Sequence, residues 1–433
     1  MGHPRIIPPR EPPVYRPFAL LAFAATVAMG TPVGIRMLFW LYLGASAVSI
    51  EWVLLHAHLQ IFGFFGALIT GVAHHLIPRF TGRPAVRPAP APWLVGLLGI
   101  ALLLRISGTW TQSPALVFVA SLLQAAAFTI FGSWVWRSLD PPQLRFLRWH
   151  LTVSTGWLAA ACLIEAGLRW RGLGSGLAVP DLGAMRAVHG MGLYGGVVGW
   201  VLGVLLRAGP MFIPGWNVPP RVALAVPWML GLGVFITVMA EMGEWSAPAG
   251  TALARLGDTV ALGAVGVVTI AGGAFKRGPG ALPMLSRSPH EARMFRLAAA
   301  SAVVAPIGMA IAAASASVGG QVHLLTDALR HLVTVGFLTS VVVAMAFRLI
   351  TVLESTVLPW PRLRSVAFWA LLLGVLLRSA EALAGWGWSA VAPWVPLSGV
   401  LVWTALACVG VNLVGAIVGA QKARGDPLAR PGG

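Results

Sequence analysis

Charge is what this sequence has least of. Only 10% of its 433 residues are Asp, Glu, Lys or Arg, against about 25% in soluble domains, which excludes an ordinary water-soluble globule. Cysteine is nearly absent as well. Cys162 and Cys408 both lie inside apolar runs, so there is no disulfide framework, no CxxC pair and no CxxCH haem-attachment site. Lysine occurs only at Lys276 and Lys422, and neither stands inside a predicted helix as a proton carrier. The apolar runs lack a period of two. That excludes a membrane β-barrel and leaves helices as the way to satisfy the backbone in lipid. The stretch from Met1 to Arg16 is rich in Pro and Arg, and no short apolar segment with a small-residue cleavage site follows it, so no cleaved signal peptide is expected.

What is present is 58% hydrophobic, arranged in recurring runs of about 20 residues, the length that spans the hydrocarbon core. The expected spans are 17–46, 54–77, 91–106, 114–136, 146–168, 184–206, 221–241, 250–272, 295–315, 325–350, 365–384 and 392–418. The first carries Arg36 and glycines and is expected to be broken. The net charge of +17 does not point to nucleic acid, because the arginines are scattered through short loops between apolar runs. Most lie before the first span, after even-numbered spans or at the C-terminus, whereas Arg169, Arg171 and Arg186 fall on the other side. By the positive-inside rule this is a multi-pass protein of the inner or plasma membrane with both termini in the cytoplasm.

Segments also recur. LLLRISGTW (102–110), FITVMAEMGEW (235–245) and VLLRSAEALAGWGW (375–388) end the third, seventh and eleventh spans alike. YRPFALLAF (15–23), RFLRWHLTV (145–153) and RMFRLAAAS (293–301) open the first, fifth and ninth. The period is about 140 residues, or four helices. The expected fold is therefore all-α and polytopic, about twelve transmembrane helices in three pseudo-repeated units, 1–140, 141–286 and 287–433.

Of the ten histidines, His3 is in the N-terminal tail, and His150 and His290 stand near helix starts. His56 and His58, His189, and His331 begin the second, sixth and tenth spans at similar depth, each followed by a Gly-rich stretch. An imidazole in lipid is costly unless it faces the bundle interior and has a partner, and neutral imidazole is the commonest metal ligand. Haem iron takes two axial imidazoles from facing helices, and Gly63, Gly66, Gly71, Gly195, Gly196, Gly199 and Gly336 would give a macrocycle room. His56 and His58 point about 200° apart on one helix, so they serve different neighbours, and either is open as the ligand. His74 and His75 lie roughly 27 Å away, near the opposite interface, where hydrogen bonding is the expected role and a second metal the alternative. His323, at the mouth of the tenth span, reads as a solvated loop residue, with copper binding as the alternative.

HAHLQIFGF (56–64) followed by LIPRFTGRP (76–84) resembles the second helix of the haem–copper oxidase superfamily, and within it the closer resemblance is to the NnrS family. The segments that carry it are His56–His58, Arg207 through Pro214, and RHLVTVG (330–336). The resemblance implies that His56 and His331 are opposed axial ligands of a low-spin, b-type haem. It also implies that His189 holds copper. There are departures from the oxidase pattern: GMGLY follows His189, Tyr194 is five residues on, and the seventh span has no His. A binuclear oxygen-reducing centre and proton pumping are therefore not expected. Leu59 and Gln60 stand where NnrS proteins have the Glu of their HAHE signature. Glu241, Glu244, Asp258, Asp327, Glu354 and Glu381 are open as nonhaem ligands or proton relays. Arg105, Arg330 and Arg378 either meet haem propionates or pair with acids such as Glu381, three residues from Arg378. Arg330, beside His331, is the first choice for a propionate.

The leading functional expectation is a haem- and copper-binding protein of the nitric oxide response or of electron transfer, with a diatomic gas ligand and an electron donor. The alternatives are a non-pumping terminal reductase of nitric oxide or oxygen, which would make it an oxidoreductase, and a transporter. The lipid bilayer is its expected surrounding.

Overall fold

A computed structural model describes residues 13–45, 47–82, 90–175, 180–213, 216–275, 289–315, 322–354, 356–385 and 387–425. His3, Lys276, Pro214 and the side chain of His323 lie outside what is described. Among the described residues, twelve helices are long and apolar enough to cross a membrane. They are α1 (Tyr15–Leu43), α2 (Ile50–Thr81), α3 (Ala91–Trp110), α4 (Pro114–Ser138), α5 (Pro142–Leu173), α6 (Leu182–Pro210), α7 (Pro220–Met242), α8 (Ala249–Ala271), α9 (Pro289–Ala314), α10 (Leu324–Glu354), α11 (Leu363–Ala384) and α12 (Ser389–Lys422). The chain is an all-helical, polytopic integral membrane protein. Its outer helices leave large apolar side chains uncovered, among them Trp93, Leu103 and Trp228 at 77%, 67% and 72% exposure. Such surfaces belong in hydrocarbon, where they cost nothing.

The first helix is not broken. It runs through Arg36 with a π turn at Ala25–Gly30, where the Thr31 N–H reaches back to the Thr26 carbonyl. Pro32 follows, and its missing N–H removes one α-helical bond; a π turn, with i→i+5 bonding, absorbs that irregularity without ending the helix.

Three helices are the most enclosed. The membrane-length stretch of α6 is 78% buried and those of α2 and α10 are 67%, against 28% for α7. Each of the three also carries a π turn just after its histidine: Leu59–Gly66 after His58, Met191–Val198 after His189 and Leu332–Thr339 after His331. Glycine lets these helices touch. A Cβ on Gly192 of α6 would come within 2.6 Å of the Phe62 ring on α2, and one on Gly71 within 2.4 Å of Phe18 on α1. Small residues bring helices close where no hydrophobic effect drives them together.

At the end of the bundle away from these histidines, α1 and α10 are tied by charge. The Arg16 guanidinium meets the Glu354 carboxylate through Nε at 2.9 Å and through Nη2, and the Tyr15 hydroxyl donates to the same carboxylate. Tyr15, Arg16 and Glu354 are all buried. A buried ion pair is weak evidence of net stabilisation, but removing one partner is severe because it strands the other charge. Glu354→Ala should therefore cost about 3–5 kcal/mol, read as a clear fall in the thermal unfolding midpoint in detergent. A midpoint within a degree of the unaltered protein would show that the tie carries no weight.

Candidate functional site

His56, His58, His189 and His331 all lie at one end of the bundle, on the three most enclosed helices. The structure separates His56 and His58 as their spacing requires, into two polar clusters, and adds a third.

The first cluster joins α2 to α6 through the helices between them. His58, wholly buried, has Nε2 2.6 Å from Gln124 Oε1 on α4. Its Nδ1 is 3.5 Å from Glu165 Oε2 on α5 and has no hydrogen bond. Arg105 of α3 donates to both oxygens of Glu165 at 2.7 Å and to Ser121 Oγ at 2.7 Å, and Arg169 lies 3.8 Å from Glu165. The bidentate fork is the strong form of this contact. His189 of α6 stands with its ring 6.4 Å from that of His58, and its Nε2 is buried without a hydrogen-bond partner.

The second cluster faces α1, α10 and α11. His56 Nδ1 is 2.7 Å from the Gly30 carbonyl, and its ring fills the space a side chain at Gly34 would need, since a Cβ there would come within 2.5 Å of Cε1. His331 Nδ1 is 2.9 Å from the Asp327 carbonyl and 3.2 Å from Arg378 Nη2. Both contacts cannot be hydrogen bonds, because Arg378 has only protons to offer. The shorter contact, with the Asp327 carboxylate also at 3.5 Å, puts the proton on Nδ1. In both rings a backbone carbonyl thus holds N–H at Nδ1 and leaves the lone pair on Nε2. Arg378 pairs with Asp327 and, at 2.8 Å, with Glu381, which also accepts from the Tyr42 hydroxyl. His56 is within electrostatic range of His331, Asp327 and Arg378, and His189 of His56.

The third cluster centres on Asp258 of α8, which takes Arg330 Nη2 at 3.2 Å and the Thr237 hydroxyl at 3.2 Å. Tyr194, buried on α6, lies beside this pair. Arg330 therefore points to Asp258, while Arg378 stands against His331.

Among the described residues, no three His, Cys, Asp or Glu side chains converge as a ready-made metal site. The acids that lacked partners in sequence mostly have arginines in space: Glu241 meets Arg186 at 2.8 Å, and Asp258, Asp327, Glu354 and Glu381 are paired as above. At the far end His74 is buried, its Nδ1 2.7 Å from the Thr70 carbonyl and its ring stacked 4.1 Å from Trp134. His75 is half-buried. His150 Nε2 meets the Gly199 carbonyl at 2.8 Å, and His290 packs on Phe368. Sequence reasoning missed Glu165, Gln124 and Tyr42. The signal for Glu165 was there: a lone acid inside an apolar span requires a partner, and Arg105 was the open candidate.

A family model described as NnrS protein matches residues 14–419. No curated protein matches the chain. With nearly its whole length matched, from the start of α1 to the last turns of α12, the chain belongs to the NnrS family.

Proposed function

We propose that the chain is a haem-binding membrane protein, with His56 and His331 as axial ligands, serving the nitric oxide response or electron transfer. The observation that carries this reading is shared by the two rings. Each has Nδ1 fixed on a backbone carbonyl, at 2.7 Å and 2.9 Å, which leaves Nε2 free to ligate. Orientation of the second nitrogen is the usual mark of a metal-ligating histidine. The two rings come from α2 and α10, at the same end of the bundle, and Gly34 leaves α1 bare so that the His56 ring can lie against it. These features fit a haem. A b-type haem fits best, because thioether attachment has no CxxCH to use. Arg378, next to His331, would meet a propionate; Arg330, assigned that role from its sequence position, is held by Asp258. When bound, such a haem would be held by His56 and His331 and would supply a one-electron couple and an iron with affinity for a diatomic gas.

A second reading, a non-pumping reductase of nitric oxide or oxygen, is favoured by one specific observation. His58 Nδ1 and His189 Nε2 are both buried without hydrogen-bond partners, on rings 6.4 Å apart, a place where copper would find imidazole. In either reading the chain sits in the inner or plasma membrane with cytoplasmic termini. Its three four-helix units place His58, His189 and His331 before equivalent π turns, and the wider kinship is with the haem–copper oxidases.

The purified protein should show a low-spin haem band in its reduced-minus-oxidised spectrum, with metal analysis giving iron and reporting any copper. Absence of haem and metal would turn the histidines into substrate or packing residues and favour a transporter. His331→Ala should abolish the haem or convert it to high spin; an unchanged low-spin spectrum rules out this ligand. His75→Ala should leave the spectrum intact, and a lost band would move the site to the other end of the bundle.

A further inference from the structure

At the end of the bundle away from the histidines, Leu139, Asp140 and Pro141 join α4 to α5. Three arginines crowd this tight hairpin. Arg137 lies in the last turn of α4, and Arg145 and Arg148 stand in the first turns of α5. Arg145 and Arg148 are about 60° apart around the helix axis, so they share a face. Arg137 and Arg145 are exposed, and Arg148 is half-buried with its guanidinium 3.7 Å from the centre of the Trp136 ring. These charges are poorly balanced. Asp140 reaches Arg148 at 3.7 Å, but its side chain is 71% exposed and it stands alone against three cations. Among the described residues, Arg137 and Arg145 have no carboxylate partner. Like charges three residues apart on a helix repel, and the start of a helix is its positive end, which adds to the excess. The hairpin therefore requires an anion from its surroundings.

Tryptophan gives the depth at which that anion is met. Trp136 of α4 and Trp149 of α5 are 42% and 47% exposed. Exposed Trp on a membrane helix settles at the level of the lipid headgroups. Arg148 lies against the first of these rings and next to the second in sequence, and Arg145 is one turn from Trp149. The guanidinium groups thus stand at the depth of lipid phosphates rather than in open water. A guanidinium takes a phosphate through two parallel hydrogen bonds, and basic clusters beside membrane helices attract anionic lipid. We propose that the α4–α5 hairpin binds the headgroup of an anionic phospholipid through Arg137, Arg145 and Arg148, with Trp136 and Trp149 flanking it. The site is built from side chains far from the histidines and does not depend on haem.

Native mass spectrometry of the full chain tests it, after incubation with phosphatidylglycerol or with phosphatidylcholine of the same acyl chains. The unaltered protein should retain phosphatidylglycerol in preference. An arginine near an anionic lipid surface is worth about fivefold in binding, so Arg145→Gln should weaken retention about fivefold, and Arg145→Gln with Arg148→Gln about 25-fold. Arg221→Gln with Arg362→Gln removes the same charge from exposed positions at the same end of the bundle and should leave retention unchanged. Circular dichroism reports folding, and the exposed single variant Arg145→Gln decides if the double variant folds poorly. Equal retention of phosphatidylcholine overturns the proposal. So does unchanged retention in Arg145→Gln, an equal loss in the control pair, or inorganic phosphate taking the place of the lipid, which would mark a site for a soluble anion.

Discussion

A charge inside hydrocarbon must find an opposite charge, and much of this bundle is arranged around that requirement. Arg16, Arg105, Arg330 and Arg378 each lie within a membrane-spanning helix, and each meets a carboxylate from another helix. Attraction between such groups strengthens as the surrounding dielectric falls, so the pairs fix which helices are neighbours. Glu165 and Arg105 bind α5 to α3, Asp258 and Arg330 bind α8 to α10, and Asp327 and Arg378 bind α10 to α11. Packing of small residues then sets how closely the helices approach.

The histidines inherit their settings from these pairs. His58 lies against the Arg105–Glu165 pair and His331 against the Asp327–Arg378 pair. A rigid ion pair is a good neighbour for an imidazole that must keep one orientation, because it can neither rotate away nor leave the membrane. His56 achieves the same with the backbone of α1, through the Gly30 carbonyl and the bare face at Gly34. These rings are thus held by groups next to them, and such contacts are what set the orientation of an imidazole.

The helices and the shared depth of the four histidines were legible in sequence, because both depend on local features: the length of an apolar run and the distance of a residue from its end. The continuity of α1 through Arg36 was not, since a π turn before Pro32 leaves no mark in composition. Pairing was legible only where the partners share a helix turn, as with Arg378 and Glu381. Arg330 shows the limit. Its neighbour in sequence is His331, but its side chain leaves in another direction and meets Asp258, seventy-two residues away. Glu165 and Arg105, sixty residues apart, met for a reason that sequence states only as a debt: each needed a partner, and nothing local named it.

The π turns in α2, α6 and α10 have a consequence for how the molecule can vary. An α-helix advances about 100° per residue, so the faces shown at its two ends are locked in phase. A turn closed by i→i+5 bonds lodges a surplus residue and shifts that phase midway. In each of these helices the half that carries His58, His189 or His331 and the half beyond the π turn therefore follow separate angular registers. Side chains at one end can be rearranged to suit a ligand without rotating the other end out of its contacts, and the glycines within the turns are where the two registers are spliced.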